Sequence, residues 1–387
     1  MAVFVFAIPV FVLHLDLSHW LQQAITLLVI ACPCALVVST PVAIYAAIGN
    51  ASAKGALVKG GKYIEALASI KVIALDKTRT ITFGNPIVSD VIPLNGTSRE
   101  ELLACTAGAE IFSEHPLAQA VVEASLKEGF EPHKTEAFKS IMGKGATAKC
   151  LVCEDETIYV GKLGFIKEHQ PIDIEAERVV EQLSSQGKTS VVVSFGDGAA
   201  GVIGLMDEIK PDSVSALKEL KTLNIEPVML TGDSENAANY VAHQVGIKLI
   251  FGNMLPEDKA EKIKELLLQY GKVAMVGDGI NDAPALAQST VGIAMGAAGS
   301  DTAIETANIA LMNDNLSLIP FLIRLSKKTL TRIKFNTIGA IAVKLIFITL
   351  AFIGYSNLVF AIAADVGVTL IVILTSLNLM KFENVHK

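Results

Sequence analysis

Two kinds of hydrophobic pattern divide the chain. From Trp20 to Ala53 there is no Asp, Glu, Lys or Arg, and from Phe335 to Met380 the only such residues are Lys344 and Asp365. A spanning helix needs about 20 apolar residues, so the second stretch is long enough for two helices, with "GYSN" (354 to 357) as the turn. Residues 2 to 17 read as a further, short span, and His14, Asp16 and Ser18 form a polar loop before Trp20. The basic start and small-residue cleavage site of a signal peptide are both absent. The long middle segment follows a different rule. "KVIALD" (71 to 76), "EPVMLTGD" (226 to 233) and "KVAMVGDGIND" (272 to 282) each run from an apolar strand into a polar loop. Amphipathic helical stretches lie between the later ones, at residues 211 to 224 and 257 to 270.

Strands separated by helices imply a parallel, doubly wound sheet, in which ligands bind at the carboxyl ends of the strands. The three polar loops are therefore expected to meet at one edge. Composition agrees with a chain partly in lipid, since 51% of the 387 residues are hydrophobic and 18% charged. Lys54, Lys59 and Lys62 follow the first apolar region, and Arg324, Lys327, Lys328, Arg332 and Lys334 precede the second. The positive-inside rule then places the middle segment in the cytoplasm, and four spans leave both termini there too. A net charge of −7 argues against nucleic acid as a partner. Five cysteines make no disulfide framework in a reducing cytosol, and Cys150 and Cys153 have CxxC spacing without the second pair that a structural zinc site needs.

The loop residues define a chemistry. Asp76 ends an apolar strand as a nucleophile would, although a helix cap or turn residue would sit there equally well. Thr231 can donate a hydroxyl to a phosphoryl oxygen, Lys259 in "PEDK" brings a cation beside that charge, and Asp278 and Asp282 are hard oxygen ligands for Mg²⁺. Phosphoryl transfer depends mainly on positioning and charge neutralisation, which these groups supply.

"DKTRT" (76 to 80), "TGD" (231 to 233), "PEDK" (256 to 259) and "GDGINDAPAL" (277 to 286) resemble the phosphorylation motifs of P-type ATPases, within the haloacid-dehalogenase-like class. "CPCALVVSTP" (32 to 41) resembles the membrane metal motif of the heavy-metal-transporting branch. The resemblance implies a membrane α-helical segment joined to an α/β, doubly wound phosphorylation domain (72–85 and 207–320). A nucleotide-binding α+β domain is inserted (86–206), with transmembrane hairpins at 1–53 and 335–380. Asp76 would accept the γ-phosphate of ATP, with Lys77, Thr78, Thr231, Gly232, Asp233 and Lys259 around it. Asp76, Thr78, Asp278 and Asp282 would hold Mg²⁺, and Asp207 in "MDEIKPD" would mark the return from the insertion.

Within the insertion, "SEHPLAQAV" (113 to 121) is similar to the family's His-Pro motif and "GKG" (143 to 145) to its glycine-rich motif. His115 would pack beside adenine and Glu114 bond the base edge, while Gly143 and Gly145 leave room for the nucleotide. Read alone, these are an ordinary helix start and an ordinary turn. Cys32 and Cys34 offer soft thiolates beside Pro33, a set that selects Cu(I), Zn²⁺ or Cd²⁺ over Mg²⁺ or Ca²⁺. Lys344 and Asp365 either neutralise each other or serve the transported ion. "ADVGVT" (364 to 369) is similar to the last helix of zinc, cadmium and lead exporters, so Asp365 is expected to be a ligand and the cargo a divalent ion, with copper as the alternative.

Two departures stand out. Arg79 replaces the glycine that normally follows Asp-Lys-Thr, and its bulk, charge and left-handed backbone are expected to impair phosphorylation. The actuator domain with its Thr-Gly-Glu loop is not found, so the chain reads as an incomplete exporter in a bacterial plasma membrane, or as an impaired remnant. A separate chain supplying that domain is an expected partner. A small-molecule phosphatase is disfavoured, because Lys77 stands where such enzymes carry a second acid.

Overall fold

The computed structural model describes all residues except 1, 14, 33, 142, 154–155, 197, 279–281, 297–300, 353–357 and 384–387. The expected turn at 354–357, Pro33, His14 and residues 279–281 of the last loop therefore lie outside the described residues. The chain divides into two compact units, Val72–Ser289 and the combination of Met1–Lys71 with Thr290–Lys387.

In the first unit, four parallel strands run in the order Val273–Gly277, Val72–Asp76, Glu226–Leu230, Leu249–Phe251. Val72 pairs with Val273 on one side and Glu226 on the other, which aligns the ends of these strands. The Asp76 strand is buried along its whole length, as a central parallel strand covered on both faces must be. Helices Pro211–Thr222 and Pro256–Tyr270 match the expected amphipathic stretches within two residues. Ile263, Leu266, Ala285 and Leu286 pack with Val72, Val228 and Val273 as one core.

The intervening chain forms a six-stranded antiparallel sheet in the order Thr82–Pro93, Ala199–Ile209, Thr189–Ser194, Thr157–Gly161, Gly145–Cys150, Thr135–Ile141. The pair Thr82–Pro93 and Ala199–Ile209 enters and leaves this layer. Asp207 ties the two strands, because its carboxylate accepts from the Thr82 hydroxyl at 2.5 Å and from the Gly84 amide at 2.9 Å. Helices Arg99–Glu110 and Pro116–Lys127 cover one face, burying Leu102, Leu103, Cys105 and Val121 against Ile158, Val193 and Ile203.

In the other unit, three described helices are long and apolar enough to cross a membrane: Cys34–Ala53, Leu318–Leu350 and Leu358–Lys381. Residues 2 to 17 break into a helix Ala2–Ala7 and a wide turn Ile8–Val12, and the charge-free run from Trp20 splits at the CPC motif into Leu17–Ala31 and Cys34–Ala53. The helix carrying Lys344 also starts earlier than the apolar pattern implies, at Leu318, so Arg324, Lys327, Lys328, Arg332 and Lys334 lie on that helix itself. Ile309–Leu311 pairs antiparallel with Ala56–Val58 and parallel with Val291–Ala294.

Candidate active site

Asp76 stands at the carboxyl end of its strand, where the backbone leaves the sheet into the turn Lys77–Ile81. That turn is fixed from below. The Lys210 ammonium, 1% exposed, donates to the Arg79 carbonyl at 2.8 Å, and the Ser213 hydroxyl donates to the Ile81 carbonyl at 2.8 Å. Lys210 was invisible to sequence reasoning, because its contact spans a separation of 131 residues and its only signal is its place beside Pro211.

The strand ends meet around a cavity of about 330 Å³ lined by Asp76, Thr78, Thr231, Gly232, Asp233, Lys259, Asp278 and Asp282, with Met254 and Pro256. All the expected loop residues except Lys77 thus line one pocket. The Lys259 ammonium donates to Asp76 Oδ1 at 2.5 Å and to Asp282 Oδ1 at 2.7 Å, and all three side chains are buried. Lys259 reaches them from the first turn of its helix, which Pro256 starts and Asp258 closes by accepting from the Leu255 amide at 2.9 Å. Lys77 turns the other way and pairs with Asp233 at 2.6 Å, while the Thr231 hydroxyl donates to Asp233 at 2.9 Å.

Charge in this pocket is finely opposed. Burial, then the negative charge of Asp282, pushes the Asp76 carboxyl up to about 7, against the opposing pull of Lys259. Burial also raises Asp282, again opposed by Lys259. Burial works against the Lys259 charge, yet Asp76 and Asp282 outweigh it and hold the ammonium above its ordinary range. Lys259 bridges Asp76 and Asp282 while Asp278 lines the same pocket, a set of hard oxygen donors that fits a small divalent cation.

Arg79 adopts φ 57° and ψ 3°, the left-handed conformation that favours glycine. Its side chain is exposed, lies over Gly84, and is not among the residues lining the acidic pocket. The expected backbone strain is therefore present, whereas the expected crowding of the pocket by a cation is not.

The antiparallel layer carries a second cleft of about 340 Å³, lined by Glu110, His115, Ser140, Gly143, Lys144, Gly145, Lys162 and Thr189 among others. His115 lines it while its Nδ1 accepts from the Leu117 amide at 3.2 Å, so it is both helix cap and cleft residue. Glu114 is exposed and does not line the cleft; Glu110, one helical turn earlier, does, and its burial raises its carboxyl against a lowering hydrogen bond from Ser113. Gly145 is small for another reason, since a Cβ there would meet the Val160 carbonyl of the neighbouring strand at 2.1 Å.

In the membrane unit, the CPC residues and the ionisable pair come together. Cys32 Sγ and Cys34 Sγ are 2.8 Å apart. Lys344 donates to the Cys32 carbonyl and lies 3.4 Å from Asp365 Oδ1.

Residues 70–290 match the haloacid dehalogenase-like hydrolase family, and the chain belongs to it. Within that class its relatives are heavy-metal-transporting ATPases. It is 44% identical over 371 residues to the cadmium-transporting ATPase of Staphylococcus aureus, covering 94% of this chain and 51% of that protein. It superposes on the crystal structure of a zinc-transporting PIB-type ATPase in the E2.Pi state with a TM-score of 0.89 and 36% identity, over 98% of this chain and 61% of that one. It also resembles the catalytic domain of the CPx-ATPase CopB-B, with a TM-score of 0.56 and 28% identity over 70% of this chain and 97% of that one. The chain thus spans about half the length of the curated relatives it matches.

The raised Asp76 carboxyl has a thermodynamic consequence. A folded-state value near 7 lies above the unfolded one near 3.8, so the native state holds the extra proton between them and stability falls as pH rises through that window. Asp76→Asn removes the ionising group. Its thermal midpoint should exceed the parent's at pH 8 by on the order of 5 °C and converge on it near pH 4. A gap that is constant with pH would contradict the assigned burial.

Proposed function

We propose that this chain carries the catalytic and membrane-metal parts of an ATP-driven exporter of a soft divalent ion, Zn²⁺, Cd²⁺ or Pb²⁺, working through an aspartyl-phosphate on Asp76. The observation that supports this best is the buried contact of Lys259 with both Asp76 and Asp282 at the strand ends.

In this reading an Asp76 carboxylate oxygen attacks the γ-phosphorus of ATP, an acyl-phosphate bond forms, and the bond to the β-phosphate bridging oxygen breaks as ADP leaves. Only the ionised carboxylate is a nucleophile, so the raised Asp76 makes this step sensitive to pH near 7. Lys259 keeps a positive charge against the transferring group, and the Thr231 hydroxyl donates to a phosphoryl oxygen. Lys77, paired with Asp233, steadies the two loops that flank the phosphate, with Gly232 allowing close approach. Asp76, Thr78 and Asp278 would hold Mg²⁺, with Asp282 supporting, and the ion would neutralise phosphate charge.

Residues 72–85 and the chain from 207 onward form the phosphorylation domain in this assignment, and 86–206 the nucleotide-binding domain. The cleft of His115, Gly143 and Gly145 takes the adenosine, with Glu110 rather than Glu114 on its wall. In the membrane, Cys32, Cys34 and Asp365 bind the transported ion, and Lys344 neutralises Asp365 when the ion has left. The carboxylate beside two thiolates, and relatives named for cadmium and zinc, favour a divalent cargo over Cu(I). Basic residues near the helix ends support a cytoplasmic catalytic unit in a bacterial plasma membrane.

Incubation with γ-labelled ATP and Mg²⁺ should give a hydroxylamine-sensitive label that Asp76→Asn abolishes and Lys259→Met lowers roughly tenfold or more. Label retained at the parental level in Asp76→Asn would refute the assignment. Because Arg79 lies outside the pocket, Arg79→Gly should raise stability by about 1 kcal/mol and change the label by less than about threefold. A rise from almost nothing to a strong signal would instead identify an impaired remnant. Asp365→Ala should weaken Zn²⁺ and Cd²⁺ binding by roughly tenfold or more. Unchanged binding, or a clear preference for Cu(I) in the parent, would favour the copper reading.

A further inference from the structure

Four potential ligands that no part of the proposed transport cycle uses converge inside the antiparallel layer. Cys105 lies on the helix Arg99–Glu110, His133 on the segment leading into the strand Thr135–Ile141, Cys150 at the end of its strand, and Cys153 in the turn that follows. Their donor atoms all lie within 4.8 Å of one another. Cys105 and Cys150 are fully buried, the other two partly. The expected absence of partners for Cys150 and Cys153 is thereby corrected: the missing pair is a cysteine and a histidine from 48 and 20 residues before Cys153.

Four of the six separations within the group are close to those of tetrahedral coordination. His133 Nδ1 is 3.2 Å from Cys105 Sγ, 3.4 Å from Cys153 Sγ and 3.7 Å from Cys150 Sγ, and Cys105 Sγ is 3.3 Å from Cys153 Sγ. Zinc–sulfur bonds of about 2.3 Å and zinc–nitrogen bonds of about 2.05 Å imply edges of roughly 3.8 Å between sulfurs and 3.5 Å between sulfur and nitrogen. Three of the four separations would lengthen by up to about 0.5 Å and the one between His133 and Cys150 would shorten by about 0.2 Å to meet them.

Hydrogen bonding does not account for the arrangement. Three sulfurs approach one imidazole nitrogen, which has a single lone pair or a single proton, so at most one of the three contacts is a normal hydrogen bond. A cation at the centre satisfies all four at once. The backbone is built to keep the group together. The His133 amide donates to the Ala104 carbonyl at 2.9 Å, and Gly108 permits that approach, since a Cβ there would stand 2.3 Å from the His133 carbonyl oxygen. The Cys153 amide donates to Cys150 Sγ at 3.3 Å, which closes the CxxC turn and holds the two sulfurs on the same side of it.

We propose that Cys105, His133, Cys150 and Cys153 form a structural zinc site, separate from the membrane ion site, that fastens the helix Arg99–Glu110 to the edge of the antiparallel sheet. Four protein ligands leave no open position, so the ion is structural rather than catalytic or cargo. Each thiol that ligates gives up its proton to solvent, and no electron transfer is involved.

The test is the zinc content of the purified 387-residue chain bearing Cys32→Ala and Cys34→Ala, which removes the membrane thiols. It should retain about one Zn²⁺ per chain through dialysis, and Cys105→Ser with Cys153→Ser added should lower the content roughly tenfold. Because those added substitutions could unfold the layer, two readouts keep the cluster intact. Co²⁺ exchanged into the site should give the absorption of tetrahedral thiolate coordination, and Cys105, Cys150 and Cys153 should resist a thiol reagent until a strong chelator is added. A folded protein with no zinc and three freely reactive thiols would overturn the proposal. So would a Cys105–Cys153 disulfide found by peptide mass spectrometry, or zinc retained undiminished after Cys105→Ser and Cys153→Ser.

Discussion

The arrangement at the strand ends depends on one buried ammonium, Lys259, held between Asp76 and Asp282 at 2.5 and 2.7 Å. Two carboxylates removed from water on the same side of a sheet would repel and remain largely protonated without it. With it, three elements distant in sequence are locked together: the central strand, the first turn of the helix Pro256–Tyr270, and the loop after Val273–Gly277. Such a contact stores little net stability, because desolvation offsets most of its Coulombic gain. What it supplies is an electrostatic balance that an incoming anion with its counter-ion would shift, and the proposed phosphoryl transfer rests on that balance.

The same economy appears in the membrane unit, where Lys344 lies against Asp365 and the Cys32 carbonyl. In both places a lysine stands beside a carboxylate proposed to react or to ligate. The two sites therefore present the same physical problem, a carboxylate that must be tolerated in a poorly solvated setting both with and without its ligand.

Much of this was legible in the chain because the signals were local. A buried parallel strand reads as a continuous apolar run, so Val72–Asp76, Glu226–Leu230 and Val273–Gly277 could be placed, and the doubly wound rule then brought Asp76, Thr231 and Asp278 to one edge. Arg79 stands out because the family that the motifs resemble carries glycine there, a residue that adopts positive φ at little cost, and the backbone does take that angle. What failed to read through was non-local. Nothing beside Lys210 says that it reaches the Arg79 carbonyl, and nothing beside Cys150 says that Cys105 and His133 fold onto it. Hydropathy also misjudged lengths: the helix Leu318–Phe352 runs through a basic segment, and the run from Trp20 breaks near Pro33, because composition measures solvent preference and not helical continuity.

Asp76 is a buried carboxyl whose protonation is set by burial and the charge of Asp282 against the opposing pull of Lys259. Infrared difference spectroscopy across a pH series, with Asp76→Asn to identify the band, reads that protonation directly. A protonated-carboxyl band should disappear with a midpoint of about 7 in the parent and at higher pH in Lys259→Met. A band titrating near the ordinary carboxylate value of about 4, or one unmoved by Lys259→Met, would contradict it.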